Sequence, residues 1–358
     1  MRKIILVGCA LALASGIVLH PERALAVPYF AVMEGAKCSL CHESPTGAGM
    51  RKEHGVGYYK ELSLEATKDL IDDEFKGQLT KYFAVGADFR FRHLANVQSP
   101  TSNDFSVPQG SLYVRARPIK HFTLYADTDL ANLDSREIFG LIHELPYNLW
   151  VKFGRINLPY GLRVPDDSSF IRSDLGFTFG SQDLGVEVGI EPGPFTFAVA
   201  YSNGIPGGNA DDNEQKAVTS SGAWITRYFR LGGSFQWNDQ SPNRLLTGGG
   251  FVGVHFWRVA VLGEFDVQNI HDKATGSGRT VKVGYGEADV RIIPGLVFKG
   301  TYDAVDDELP ASGLHHRVGA GFEIYPLPYL EVSTIYRMRV GNGALGQDQI
   351  FTQVHGYY

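Results

Sequence analysis

The stretch FAVGADFRFR, from Phe83 to Arg92, alternates without a break. Phe83, Val85, Ala87, Phe89 and Phe91 fall on one side, and Asp88, Arg90 and Arg92 on the other. A period of two is the mark of a strand with one apolar and one charged face. The pattern recurs to the end of the chain. FTLYADTDL sets Phe122, Leu124 and Ala126 against Tyr125, Asp127 and Asp129, and RVGAGFEIY sets Val318, Ala320, Phe322 and Ile324 against Arg317, Glu323 and Tyr325. LEVSTIYRMRV does the same with Leu330, Val332, Tyr336 and Met338 against Glu331, Arg337 and Arg339.

A soluble sandwich also alternates, but three features select a membrane barrel. First, connections alternate in length. Short turns such as RPIKH, ELPYN, EPGP, FWRV and IIPGL stand between longer polar segments such as ANVQSPTSND, NLPYGLRVPDDSSFIRSDLGF, NGIPGGNADDNEQ and AVDDELPASG. Short turns at one rim and long loops at the other describe outer-membrane barrels. Second, aromatics recur near strand ends, as interfacial girdles require. Third, the chain closes on IFTQVHGYY, with Ile350, Thr352, Val354, Gly356 and Tyr358 on one face.

The expected fold is all-β, a transmembrane antiparallel barrel of about sixteen strands over 81–358. The strands are placed at 81–94, 109–118, 121–130, 136–145, 148–158, 183–191, 194–203, 216–228, 230–238, 245–256, 258–268, 280–292, 296–304, 314–325, 329–340 and 348–358. Even parity puts both barrel ends at one rim. At this size the lumen is wide enough to conduct or to hold a plug.

What precedes the barrel differs in character. Arg2 and Lys3, the apolar run IILVGCALALASGIVL and the small residues Ala24–Ala26 read as a cleaved export signal over 1–26. Residues 27–80 then hold the two cysteines of the body, Cys38-x-x-Cys41, with His42 directly after. This is the spacing of c-type haem attachment: two thiols bond the porphyrin edge and the adjacent imidazole ligates iron. A zinc knuckle wants four ligands, and no second cysteine pair exists. A redox disulfide wants a βαβ context, which is missing. The expected cofactor is one covalent haem c, with His42 as proximal ligand and Met50 or His54 as distal candidates, Met50 preferred. Gly47, Gly49, Gly55 and Gly57 allow the chain to fold back tightly. LSLEATKDLIDDEFKGQL, Leu62 to Leu79, reads as a linking helix with Ser63 as N-cap.

A formal charge of −6 on 358 residues, with no clustered Lys/Arg patch, argues against nucleic acid. A leader, one early C-x-x-C-H and a barrel to the C-terminus together resemble the fused outer-membrane cytochrome–porins, best known as Fe(II) oxidases of iron-oxidising bacteria. Cys38, Cys41 and His42 are the motif-grade matches. The resemblance implies an outer-membrane protein whose haem segment plugs the lumen or lies beneath it on the periplasmic side. It also implies passage of electrons between an extracellular donor or acceptor such as Fe(II) and a periplasmic c-type cytochrome or other soluble carrier. The lumen is then expected to be lined by Arg90, Arg92, Arg115, Arg117, Lys152, Arg155, Arg337 and Arg339, able to grip haem propionates or the acidic linker. Acidic loops at Asp166 and Asp167, at Asp211, Asp212 and Glu214, and at Asp306, Asp307 and Glu308 are candidate outer sites for weak Fe(II) capture. The alternative is a porin or scaffold whose haem segment docks a partner cytochrome and has no substrate of its own.

Overall fold

The computed structural model describes residues 28–71, 77–98, 103–205, 207, 214–240, 242–308, 313–340 and 348–358. The export signal and Asp211 and Asp212 lie outside them. Sixteen strands follow one another: β1 Phe83–Asn96, β2 Asn103–Ile119, β3 Phe122–Asp129, β4 Asp134–Leu145, β5 Leu149–Ile156, β6 Asp183–Ile190, β7 Phe195–Ser202 and β8 Ala217–Ile225. Then come β9 Phe229–Asn238, β10 Asn243–Phe256, β11 Val259–Asp272, β12 Gly278–Ile293, β13 Leu296–Asp307, β14 Gly313–Leu327, β15 Leu330–Val340 and β16 Gln349–Tyr357. Each pairs antiparallel with its sequence neighbours, and β16 closes on β1. Closure leaves no strand edge without a partner, as a hydrocarbon solvent demands.

The alternation read from sequence sorts the two faces. Phe89, Phe197, Val199, Val254, Val261, Phe265 and Phe322 are exposed on the outside, while Asp88, Asp127, Lys152, Asp266 and Arg317 are buried within. Exposed Tyr82, Tyr147, Tyr228, Phe256 and Trp257 gather at the short-turn rim as part of an aromatic girdle. Several strands run beyond their expected ends at the long-loop rim, notably β2, β11 and β12. Beyond the apolar band both faces are free to be polar, so the ladder continues where the alternation stops.

Two segments occupy the lumen. The first is the N-terminal plug, formed by α1 (Pro28–Met33), α2 (Cys38–Cys41) and α3 (Glu53–Leu62). Tyr29 and Phe30 of α1 are wholly buried. Each such side chain contributes about 1.5–3 kcal/mol relative to exposure. Val32 presses on the wall at Gly253, where a Cβ would sit 2.5 Å from Val32 Cγ2. The Tyr29 hydroxyl donates to Glu323 (3.0 Å), and Lys299, paired with Glu287 and Asp289, lies 4.6 Å over the Tyr29 ring. Where the chain leaves the lumen, Leu64 N donates to Tyr325 O (3.0 Å) and the Thr67 hydroxyl to Pro326 O (2.6 Å) at the β14–β15 turn.

That fastening corrects the expected helix over 62–79. Helix α3 ends at Leu62, and Ser63 is its C-cap rather than the N-cap of a new helix. Residues 65–69 form turns, Leu70 is exposed, and 72–76 lie outside the described residues. An amphipathic stripe sustains a helix only when a surface covers it, and Leu70 meets none.

The second lumen segment is the β5–β6 connection, residues 157–182. It contains α4 (Phe170–Ser173) and was expected as an external polar loop. It folds inward instead. Tyr160, Leu162, Val164, Ile171, Leu175 and Phe177 are buried in one cluster with Tyr29 and Phe30. The Tyr160 hydroxyl donates to Asp266 (2.8 Å), Leu162 N to Glu264 (2.7 Å) and Phe170 N to Asp303 (3.2 Å).

A substitution on the outer face measures the membrane contact. Val199→Arg, midway along β7, is expected to cost about 2–4 kcal/mol of unfolding free energy in lipid vesicles, against about 0–1 kcal/mol for Tyr228→Arg at the rim. Equal costs at the two positions would contradict the assignment of the apolar face to lipid.

Candidate cofactor site

The C-x-x-C-H residues sit inside the lumen, on the plug. The turn that carries them is held from both ends. Ahead of it, Lys37 Nζ donates to Gly193 O (2.9 Å) and Phe195 O (3.0 Å) at the β6–β7 turn, and Ser39 Oγ donates to Glu191 (2.7 Å). Behind it, Arg115 Nη1 meets Glu43 at 2.6 Å, with Arg117 at 3.5 Å, and Lys152 Nζ donates to Thr46 (3.0 Å) and Ser44 (3.2 Å). Of the cations expected to line the lumen, Arg115, Arg117 and Lys152 therefore hold the plug itself. Arg337 pairs with Asp166, and Arg92 stacks on Phe351 (5.1 Å). Only Arg90 of that set reaches the cavity beside the cysteines.

Gly47, Ala48 and Gly49 all have positive φ, of 89°, 67° and 64°. This run turns the chain back over Cys38, and a Cβ on Gly47 would lie 3.5 Å from Cys38 Sγ. His42 then pairs with Arg51 in an isolated antiparallel bridge. Gly55 and Gly57 do not take part in that turn; they lie within α3.

Cys38 and His42 open onto one cavity. Its other walls come from the β1 and β16 side of the barrel, through Asp88, Arg90 and His355, and from the inward loop, through Tyr160 and Arg163. His355 is held between two carboxylates, with Nε2 3.0 Å from Asp88 and Nδ1 3.2 Å from Glu331.

Covalent haem at this motif needs two thiols, one imidazole, room for the ring and partners for its two carboxylates. Three of these border the cavity: the Cys38 thiol, the His42 side chain and guanidinium groups. Cys41 is fully buried, packs with Ala36 and Gly55, and does not line the cavity. Burial pushes its thiol up to about 12, and the Cys38 neighbour adds to the rise. A thiol held so far above neutral pH is unreactive in the folded chain.

The two distal candidates sit apart from the cavity. Met50 is buried against the wall with Ala84, Tyr113, Tyr125 and Phe139, and its Cγ lies 3.5 Å from where a Cβ on Gly86 would be. Its backbone N donates to Tyr125 (2.9 Å). His54 lies in the first turn of α3 and does not line the cavity. Met50→Ala is accordingly expected to loosen plug docking by about 2–5 kcal/mol in denaturant titration and to leave any haem absorption unchanged. Loss of a methionine-to-iron band in that variant would restore Met50 as a ligand.

The acidic residues expected as outer capture sites are largely engaged. Asp166 faces inward to Arg337 and Ser168; burial pushes its carboxyl up, and Arg337 and Arg317 outweigh that and hold it well below the usual range. Both oxygens of Asp167 accept from Phe179 N at 3.0 Å. Asp307 pairs with Arg279 (2.9 Å), Asp306 stands 3.9 Å from Lys282, and Glu308 accepts from Thr280 N (3.0 Å). Glu214 is exposed.

The sequence matches no family model and no curated protein. Its fold matches solved porins. A loop-deletion mutant of OmpT, an outer membrane protein of Vibrio cholerae, gives a TM-score of 0.62 at 10% identity, over 77% of this chain and 99% of that one. An anion-selective porin from Comamonas acidovorans gives 0.58 at 9%, over 77% and 99%. The outer membrane channel DcaP of Acinetobacter baumannii gives 0.58 at 11%, over 79% and 99%. Such low identity speaks for fold alone: this chain is a closed sixteen-stranded antiparallel barrel of the porin type, a form consistent with the Gram-negative outer membrane.

Proposed function

We propose that this protein is an outer-membrane electron-transfer barrel: a porin-like scaffold whose plug carries one covalent haem c and exchanges electrons with a soluble cytochrome at the short-turn rim. The observation that carries this reading is the position of the Cys38–His42 turn. It lies inside the lumen, fastened to the wall by Glu43, Ser44 and Thr46, with one side on the lumen cavity that Cys38 and His42 line. Its other side borders a rim cavity of ≈ 400 Å³ lined by Ser39, Leu40, Lys52 and Arg117. Leu40, between the two cysteines, is 43% exposed there.

Within this proposal Cys38 and Cys41 would hold the porphyrin edge and His42 would ligate the iron, and Cys41, buried away from the cavity, would have to turn toward it. When bound, haem supplies a one-electron iron couple. The residues of the chain supply orientation, through the plug contacts, and an apolar stretch of wall at Tyr160, Leu162 and Ile225.

A second reading adds an extracellular donor such as Fe(II), reaching the haem through the lumen. It is favoured by the cavity wall formed by Tyr160–Arg163, which belongs to the connection that descends from the long-loop rim. The engaged carboxylates of Asp166, Asp167 and Asp307 give it less support at the loops than the sequence suggested.

The two readings separate in one experiment. Purified protein is expected to keep a haem-stained band after denaturing electrophoresis, and Cys38→Ala with Cys41→Ala to lose it. The haem of the intact protein is then expected to be reduced by a reduced periplasmic cytochrome, and only slowly by Fe(II) alone. Rapid saturable reduction by Fe(II) without the cytochrome would favour the second reading, and a chain free of covalent haem would overturn both.

A further inference from the structure

Three consecutive short turns, β8–β9, β10–β11 and β12–β13, form one sector of their rim. From Ile225 to Leu231, from Val254 to Ala260 and from Val290 to Leu296 the chain holds no Asp or Glu, and Arg227 and Arg258 stand exposed in the first two turns. By contrast, the β4–β5 and β6–β7 turns carry Glu144 and Glu191. Aromatics crown the sector: Phe256 and Trp257 are 79% and 72% exposed, and Tyr228 is 63% exposed. The two cations lie over two of these rings. The Arg258 guanidinium is 5.2 Å from the Trp257 ring centre, and that of Arg227 is 5.8 Å from the Tyr228 ring centre.

Trp257 stands where a two-residue hairpin turn ordinarily takes glycine. Phe256 pairs with Val259, so Trp257 and Arg258 make the turn, and Trp257 has a φ of 53°. A bulky side chain in the left-handed region is strained, and such strain gathers at functional positions. Here it sets an indole in the open at the hairpin tip. Along β10 the outer face runs through exposed Val252, Val254 and Phe256 to Trp257 and Arg258. The order is aliphatic, aromatic, cation. A bilayer leaflet presents acyl chain, interface and phosphate in the same order. Arg258 Nη1 donates to Ile292 O (2.7 Å), which fixes one edge of the guanidinium and leaves other N–H donors for phosphate oxygens.

We propose that this sector binds an anionic phospholipid of the leaflet at the short-turn rim, with Arg227 and Arg258 on the phosphate oxygens and Tyr228 and Trp257 at the level of the lipid glycerol. The inference rests on the barrel lying in lipid and on no cofactor. Selectivity for a net negative headgroup over a zwitterionic one follows from the missing carboxylates, since nothing in the three turns cancels the two positive charges. A soluble acidic protein docking beneath the rim fits less well. Phe256 and Ile292 continue the outer face of β10 and β12 and are exposed there, where lipid covers them and a protein below the rim does not.

The test places full-length protein in phosphatidylcholine bicelles containing brominated phosphatidylglycerol, or the same fraction of brominated phosphatidylcholine, and follows tryptophan quenching. Subtracting the signal of the Trp257→Phe variant isolates Trp257 from Trp150, Trp224 and Trp237. Heat-modifiable migration in electrophoresis checks that each barrel is folded. Phosphatidylglycerol is expected to quench Trp257 at a much lower fraction than phosphatidylcholine. Arg227→Gln and Arg258→Gln are each expected to cut that preference about fivefold, the attraction of one cation to an anionic surface. The double variant loses it, and the two Arg→Lys variants stay near wild type. Equal quenching of the wild type by the two lipids overturns the proposal. So does a preference that survives in the folded double Gln variant, and so do Lys variants that fall as far as the Gln variants. Loss of the preference in millimolar inorganic phosphate at constant ionic strength assigns the arginines to a free anion and overturns it. Polyglutamate that shields Trp257 from acrylamide, beside equal quenching by the two lipids, assigns the sector to an acidic protein and overturns it too.

Discussion

A sixteen-stranded barrel encloses more space than its own inward side chains can fill. Lipid requires the sheet to close completely, and closure at this strand number fixes a wide, polar interior. Everything inside answers to that constraint. The inward charges need partners, and in this chain many find them on segments folded into the lumen rather than in water. Glu43 meets Arg115, Tyr29 meets Glu323, and Asp166 meets Arg337 and Arg317. Plug and inward loop then bury one another's apolar faces, so Phe30 and Leu162 belong to one cluster.

This arrangement turns a channel-type scaffold into a holder. The C-x-x-C-H turn is fixed by contacts from β2, β5 and the β6–β7 turn, which makes its position a property of the whole barrel. A site so fixed suits a group that must keep its distance to a docking partner constant. The proposed electron-transfer role follows from that rigidity and from the exposure of Leu40 at the rim.

The barrel was legible in the sequence because its period is local. Each strand announces itself by alternating neighbours, as in Phe83–Arg92, and all sixteen expected strands are present with shifts at their ends. Lumen contents were not legible in the same way. The partners Tyr29 and Glu323 are 294 residues apart, and no short-range pattern links them. In the β5–β6 connection a signal was present and masked by the polar residues around it: Tyr160, Leu162 and Val164 alternate within a segment read as external. Met50 was chosen for the chemistry of its sulfur, but packing against Gly86 and Tyr113 decides where that side chain points.

The central claim is that the plug occupies the lumen and is held there by the wall. Ion conductance across a planar bilayer tests it most directly, comparing the intact chain with one lacking residues 28–71. The account predicts little conductance from the intact protein and a large, steady, porin-sized conductance from the shortened one. Equal conductance from the two would show that the C-x-x-C-H segment lies outside the channel, and would contradict the account.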